Sequence, residues 1–247
     1  MKVRMYNVGF GDCFCLRDRK KSLLVDFGTN NSRIEGRPRR EIFDLIISDL
    51  STIKSKNLLL THFHMDHLSG LLYMMKKKDI SVDFGKIYLP DVFSKKEMSR
   101  TLVLLLLADL LKESGLPSRQ VSLFALVDAL LENKQNVELL SRGKLFENKY
   151  QALWPDTDVI RKETDEVYNR ICEDGKFKEV MDVLLEFAEK LRLIVWSMTA
   201  EGNKPAETVE KETDLTASEL TEQPEVRQKI IRAYVYEREF QIGRAHV

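Results

Sequence analysis

Short apolar runs separated by polar turns open the chain. Residues 2–9 alternate weakly and end at Gly9, Phe10-Gly11-Asp12 turns, and 13–17 resumes as a strand. Lys20-Lys21-Ser22 turns the chain into Leu23-Leu24-Val25, a short buried strand closed by Asp26-Phe27-Gly28. The polar, basic segment 30–40, with Gly36 and Pro38, predicts a loop. Ile42, Phe43, Leu45, Ile46 and Leu50 recur at helical spacing, so 41–50 predicts an amphipathic helix. Strands are predicted at 57–60 and 86–90, with an apolar helix start at 68–75 between them. Alternating strand and helix is the signature of an α/β layer architecture.

The pattern changes after Phe93. Segments 94–114 and 118–140 each predict a helix, the second preceded by Pro117 and capped by Ser118. A strand is expected at 149–154, closed by Pro155, and helix over 163–194 with a break near Gly175. Residues 199–224 are acidic and rich in Thr and Glu, which predicts a mobile linker or a solvated surface. A last helix is expected at 225–240, and no internal repeat is present. The tail Ile242-Gly243-Arg244-Ala245-His246-Val247 matches the translation of a common sequencing adapter. Residues 242–247 are therefore expected to be non-native, on a gene fragment whose true C-terminus is missing, and His246 is left out of the site.

Composition narrows the function classes. The 247 residues are 43% hydrophobic and 32% charged, enough for a real core in one large or two small domains. A formal net charge of zero does not point to nucleic acid or membrane. The longest apolar run, 102–107, is broken by Asp109 and falls far short of the roughly 20 residues of a membrane span. It predicts a buried helix. The N-terminus runs straight into strand-like sequence, and three cysteines without framework spacing suit a reducing cytosol, so a cytoplasmic protein is expected. Cys13 and Cys15 share one strand face; they read as small core residues rather than as a soft-metal pair.

The chemistry is concentrated in Thr61-His62-Phe63-His64-Met65-Asp66-His67-Leu68-Ser69-Gly70, which holds three of the four histidines. His62 and His64, two apart in an extended segment, point the same way and can reach one ion. Asp66 and His67 follow where the chain enters a helix and can face a second ion beside the first. Imidazole and carboxylate suit zinc, and also iron or manganese. Two ions about 3.5–4 Å apart can share a bridging hydroxide. Gly70 permits close packing where the loop meets the helix.

This segment resembles the His-x-His-x-Asp-His signature of the metallo-β-lactamase superfamily. Leu23-Leu24-Val25-Asp26-Phe27-Gly28 resembles the upstream strand of that family, which ends in an acidic residue and glycine. Asn7-Val8-Gly9-Phe10-Gly11-Asp12 and Ala152-Leu153-Trp154-Pro155 resemble motifs of the branch that includes the hydrolase domain of DNA-uptake (competence) channel proteins. The likeness covers residues 2–92 well and 149–155 loosely. It implies that His62 and His64 hold a first metal, and Asp66 and His67 a second. Asp66 would also serve catalysis, by holding the bridging water or acting as general base. Asp26 is implied to be a carboxylate that orients the histidine loop, its alternative being a strand-end cap. Asp12 reads as a turn residue that hydrogen-bonds its own turn, with a place on the pocket rim as the alternative.

The family's second half usually adds a distal His, a bridging Asp and a late His, and none of these appears after His67. Asp83 and Asp91 are candidate stand-ins, although Pro90 makes an ordinary turn the simpler account of Asp91. The expected fold class is therefore α/β: the N-terminal half of an αββα sandwich over 1–158, with a helical insert at about 94–142. Residues 159–241 would form a mostly helical and acidic insertion. The implied function is a metal-dependent hydrolase with two zinc ions (Zn2+; manganese or iron as alternatives) and a metal-bound hydroxide. It would act on phosphoester or nucleic-acid substrates or on a small molecule, with the fragment inactive alone; Arg33, Arg37, Arg39 and Arg40 read first as a solvated loop, with phosphate contact as the alternative. The alternative is a non-catalytic metal-binding or protein-interaction module.

Overall fold

Strands with apolar centres build one mixed six-stranded sheet, and helices cover one of its faces. A computed structural model describes residues 1–18, 21–77, 83–113, 123–173 and 175–200. In chain order these form β1 (Lys2–Met5), β2 (Phe14–Asp18), β3 (Lys21–Val25), β4 (Arg33–Ile34), β5 (Arg37–Pro38), α1 (Arg39–Ser51), β6 (Ser55–Leu59) and α2 (Met65–Lys76). There follow β7 (Ile87–Pro90), a 3-10 turn (Lys96–Met98), α3 (Ser99–Glu113), α4 (Leu123–Glu132), β8 (Val137–Leu140), β9 (Leu145–Phe146), β10 (Tyr150–Gln151), α5 (Thr157–Glu173) and α6 (Gly175–Ser197). The main sheet runs β1-β2-β3-β6-β7-β8. The first three strands pair antiparallel and the rest parallel. This is the α/β class expected, with a mixed sheet and, among the described residues, six α-helices.

Side-chain alternation divides the sheet into two faces. Cys15, Leu24, Leu58, Ile87, Leu89, Val137 and Leu139 point under the helices, in a cluster that runs on through α3 and α4 to Tyr168 of α5 and Leu184 of α6. Leu23, Val25, Leu59, Tyr88 and Leu140 point the other way, where Phe146 and Ala152 of the β9–β10 hairpin region cover them. Glu147, in the turn between the hairpin strands, accepts hydrogen bonds from Asn57 Nδ2 and Tyr88 Oη and so fastens the hairpin to β6 and β7. Cys13 and Cys15 are buried free thiols within the core, as small core residues should be. Burial, first, and then the neighbouring Cys15 push the Cys13 thiol well above its ordinary range.

Two expectations need correction. The helix predicted over 118–140 does not continue to its end: α4 stops at Glu132, and Val137–Leu140 is a strand paired parallel to β7. Lys134 takes a positive φ of 47° just after the helix, which turns the chain back toward the sheet, and β7 then supplies the backbone partners. Helices α3 and α4 thus form the crossover between two neighbouring strands, and 94–142 is not a purely helical insert. The loop at 30–40 contains a small hairpin, β4 with β5, and α1 begins already at Arg39. Helix is found at Thr157–Glu173 and Gly175–Ser197, starting before the expected 163, and the expected break near Gly175 falls at residue 174, outside the described residues. The expected linker at 201–224, the last helix at 225–240, the 242–247 tail and the Ser118 cap lie outside the described residues.

Three backbone segments meet without side chains between them at the carboxyl end of the sheet. Asp12 N–H donates to the carbonyl of Asp66, Gly28 N–H to that of Asp12, and Phe27 N–H to that of His67, at 3.1, 3.2 and 2.7 Å. A Cβ on Gly28 would stand 2.6–2.7 Å from backbone atoms of Leu68 and Asp66, and one on Gly11 would stand 2.3 Å from the Gly28 carbonyl oxygen. Only hydrogen fits at either place. Gly70 packs against the Phe27 ring in the same way, as its position at the helix entry suggested. Gly28→Ala is therefore expected to cost about 1–3 kcal/mol of stability, the usual penalty of overpacking, read as a lower denaturation midpoint. An unchanged midpoint would contradict this junction.

Candidate metal centre

The parallel register of β3 with β6 sets Val25 opposite Leu59, so the residues leaving the two strands emerge side by side. Asp26 leaves β3 with φ 55°, a left-handed conformation that Asp tolerates better than most residues. Its side chain is almost wholly buried. Asp26 Oδ1 accepts the Thr61 N–H at 2.8 Å; Oδ2 accepts the Thr61 hydroxyl at 2.8 Å and meets His67 Nδ1 at 2.9 Å. Thr61 Oγ1 also lies 2.9 Å from His62 Nδ1.

Donor counting fixes both imidazole tautomers. A carboxylate only accepts, so His67 must donate its Nδ1–H to Asp26. The Thr61 hydroxyl has one proton and gives it to Asp26, so it can only accept from His62, whose Nδ1 is then also protonated. Each ring is left with a lone pair on Nε2, the atom that faces away from these bonds. Asp26 thus orients His67 directly and His62 through Thr61, the arrangement that holds a metal-binding histidine in place. Of the two readings of Asp26, an orienting carboxylate or a strand-end cap, these bonds reach the histidine loop at Thr61 and His67. Thr61 was missed by sequence reasoning, although it directly precedes His62 and follows a strand end.

Segment 61–65 alternates as extended chain should. Phe63 points inward, its ring 6.1 Å from that of Phe93, and His62 and His64 point outward with ring centroids 4.7 Å apart. The His64 carbonyl accepts from His67 N and Leu68 N and so opens α2. Asp66 lies in the first turn of that helix, where the positive helix end favours a carboxylate.

Ligand atoms of His62, Asp66 and His67 lie within 4.8 Å of one another, the one such cluster among the described residues. The His62 and His67 rings are 3.8 Å apart. Of the expected ligands, His64 stands beside the group but outside it. Asp12 is closer than its turn role suggested: Oδ2 is 3.6 Å from His67 Nε2, and the turn is held instead by Asn7 Oδ1 on Gly9 N–H and Asn31 Oδ1 on Phe10 N–H. Asp91 receives the Ser94 N–H and hydroxyl at 3.0 and 2.7 Å, which makes it a turn residue, and Asp83 is exposed. Among the basic residues, Arg33 is spent on the Gly36 carbonyl. No helix of the described residues is long and apolar enough to cross a membrane.

The imidazoles are tuned in opposite directions. Burial, then the charges of His67 and His64, hold His62 below the ordinary histidine value, so it stays neutral. For His67, burial pulls down, but the hydrogen bond to Asp26 and the charges of Asp26, Asp66 and Asp12 together outweigh it and raise the value. Once His67 has lost its extra proton, two imidazoles with Nε2 lone pairs and one carboxylate suit a divalent ion of the zinc, iron or manganese kind.

Comparison with known proteins agrees with this chemistry. Residues 6–93 match the family model of the metallo-beta-lactamase superfamily, the stretch that carries the Gly-x-Gly turn, Asp26 and the histidine motif. No curated protein and no solved structure matches the chain. The mixed α/β fold is consistent with a domain of that superfamily over the matched residues, and the His/Asp/His cluster lies within them.

Metal uptake must displace the proton of His67. Its raised value favours the protonated ring in the fold, so in the metal-free protein it contributes stability at low pH that is lost as pH rises through that value. Metal affinity runs the other way: it should rise about tenfold per pH unit below the His67 value and level off above it, since ligands bind deprotonated. Titration calorimetry across pH 5 to about 8, the window in which histidines change charge, checks the slope; a flat profile would contradict it. Asp26→Asn places an amide donor against two donors and is expected to weaken metal binding about 10–100-fold with the fold retained.

Proposed function

We propose that this chain is a metal-dependent hydrolase whose ions, zinc in the first instance, are held by His62, His64, Asp66 and His67. One observation carries this: Asp26 and Thr61 leave Nε2 of both His62 and His67 without these hydrogen bonds, and ligand atoms of the two rings lie within 4.8 Å of each other and of Asp66. A bound divalent ion would supply Lewis-acid polarisation and a water acidic enough to ionise near neutral pH. The chain's own residues do the rest. His62 and His67 are kept in the tautomer that presents a lone pair. Asp66, partly open to solvent, accepts the proton of the attacking water. The glycine-lined junction fixes Asp66 and His67 relative to Asp26.

A phosphoester substrate is favoured by the likeness to the DNA-uptake branch and by a basic cavity nearby. Arg39, Arg40 and Lys76 line a space of about 390 Å³ with Met65, Ser69, Phe43 and Tyr73. It opens on the face of α2 that carries Met65, Ser69, Leu72 and Lys76, roughly opposite His67 at 100° per residue. A phosphate there would be a non-reacting one. A second reading, a metal-binding module without turnover, is supported by the small convergent donor set, and metal uptake without hydrolysis would favour it.

His62→Ala and His67→Ala are expected to lower metal content and to abolish hydrolysis of phosphodiester substrates. Metal content and activity equal to the unaltered protein would overturn the proposal.

A further inference from the structure

We infer that Asp12 is a metal ligand, sharing with His67 the ion that its Nε2 would hold; this rests on the metal-centre reading above. The distances carry the inference. His67 Nε2 lies 3.6 Å from Asp12 Oδ2 and 3.8 Å from Asp66 Oδ2. A hydrogen bond between such groups is about 2.7–3.2 Å long, as the 2.9 Å bond from the other nitrogen of the same ring to Asp26 illustrates. The Asp12 contact is too long to be one. It matches another spacing: with metal–ligand bonds of about 2.0–2.2 Å, two ligand atoms on one tetrahedral ion sit roughly 3.3–3.6 Å apart. Asp12 thus stands beside the Nε2 atom at ligand-to-ligand separation, with Asp66 slightly farther away.

The position of Asp12 is built into the backbone. Its N–H is bonded to the Asp66 carbonyl and its carbonyl to Gly28 N–H, so the turn is hung on the same helix start that bears the other two donors. Gly11 and Gly28 admit this approach, which no residue with a Cβ would allow. The carboxylate is not consumed by its own turn, since Asn7 and Asn31 satisfy that backbone. It is half-exposed, open to an ion. With neutral histidines, Asp66 alone brings one negative charge to the divalent ions, and Asp12 brings a second. The N-terminal turn would in this way supply a carboxylate to the site.

The test is cobalt(II) binding to the full chain and to Asp12→Asn and Asp12→Cys, followed by visible absorption and by metal content after dialysis. The unaltered protein should take up cobalt. Asp12→Asn should bind one ion more weakly by more than the roughly 10–100-fold that loss of an outer-shell partner costs, with an altered d–d spectrum. Asp12→Cys should show a thiolate-to-cobalt charge-transfer band absent from the unaltered protein, a readout that a merely structural role would not produce and that does not depend on Asp12→Asn being stable. Normal cobalt affinity in Asp12→Asn together with no new band in Asp12→Cys would overturn the inference and leave the metal centre standing. Failure of the unaltered protein to bind cobalt would overturn both.

Discussion

Everything at the candidate centre depends on where one buried carboxylate sends its hydrogen bonds. Asp26 receives a backbone N–H, a hydroxyl and an imidazole N–H, and through the hydroxyl it sets a second imidazole. A buried carboxylate without such partners would be costly, so the network is as much a condition of folding as of chemistry. In their neutral forms the two histidines then have no choice of tautomer. The site is prepared before any ion arrives, and little ordering remains to oppose binding.

The same residues are held in place by the absence of side chains. The Asp12 turn, the segment after β3 and the first turn of α2 exchange main-chain hydrogen bonds across Gly11 and Gly28. Ser69 and Thr29 add reciprocal bonds, Thr29 N–H to Ser69 Oγ and Ser69 hydroxyl to the Thr29 carbonyl, at 2.9 and 3.0 Å. Asp12, Asp26, Asp66 and His67 come from three distant stretches of sequence yet are tied together by these bonds. Precision of this kind is what a metal-assisted reaction needs from its scaffold. The parallel strands β3 and β6 supply the direction, since both release their chain ends on the same edge of the sheet, where open α/β sheets place their ligands.

The candidate metal motif stood out in the sequence because its information is local. His62, His64, Asp66 and His67 lie within six residues, and spacing alone predicts which of them share a face. The class of fold was legible too, since strand and helix alternate through Pro90. Thr61 and the placement of Asp12 were not, because each acquires its meaning from a partner far away in sequence, Asp26 in one case and His67 in the other. The strand at Val137–Leu140 was hidden for a related reason. Its leucines continue the apolar pattern of α4, and only the positive φ at Lys134 and the waiting edge of β7 separate the two elements.

The most direct test of the account is the protonation of the imidazole nitrogens in the metal-free protein, read by long-range nitrogen–proton NMR correlations at a pH above the His67 titration. His62 and His67 should both carry the proton on Nδ1, with Nε2 unprotonated. Protonation of Nε2 on either ring would mean that Asp26 does not govern the site, and the account would fail at its base.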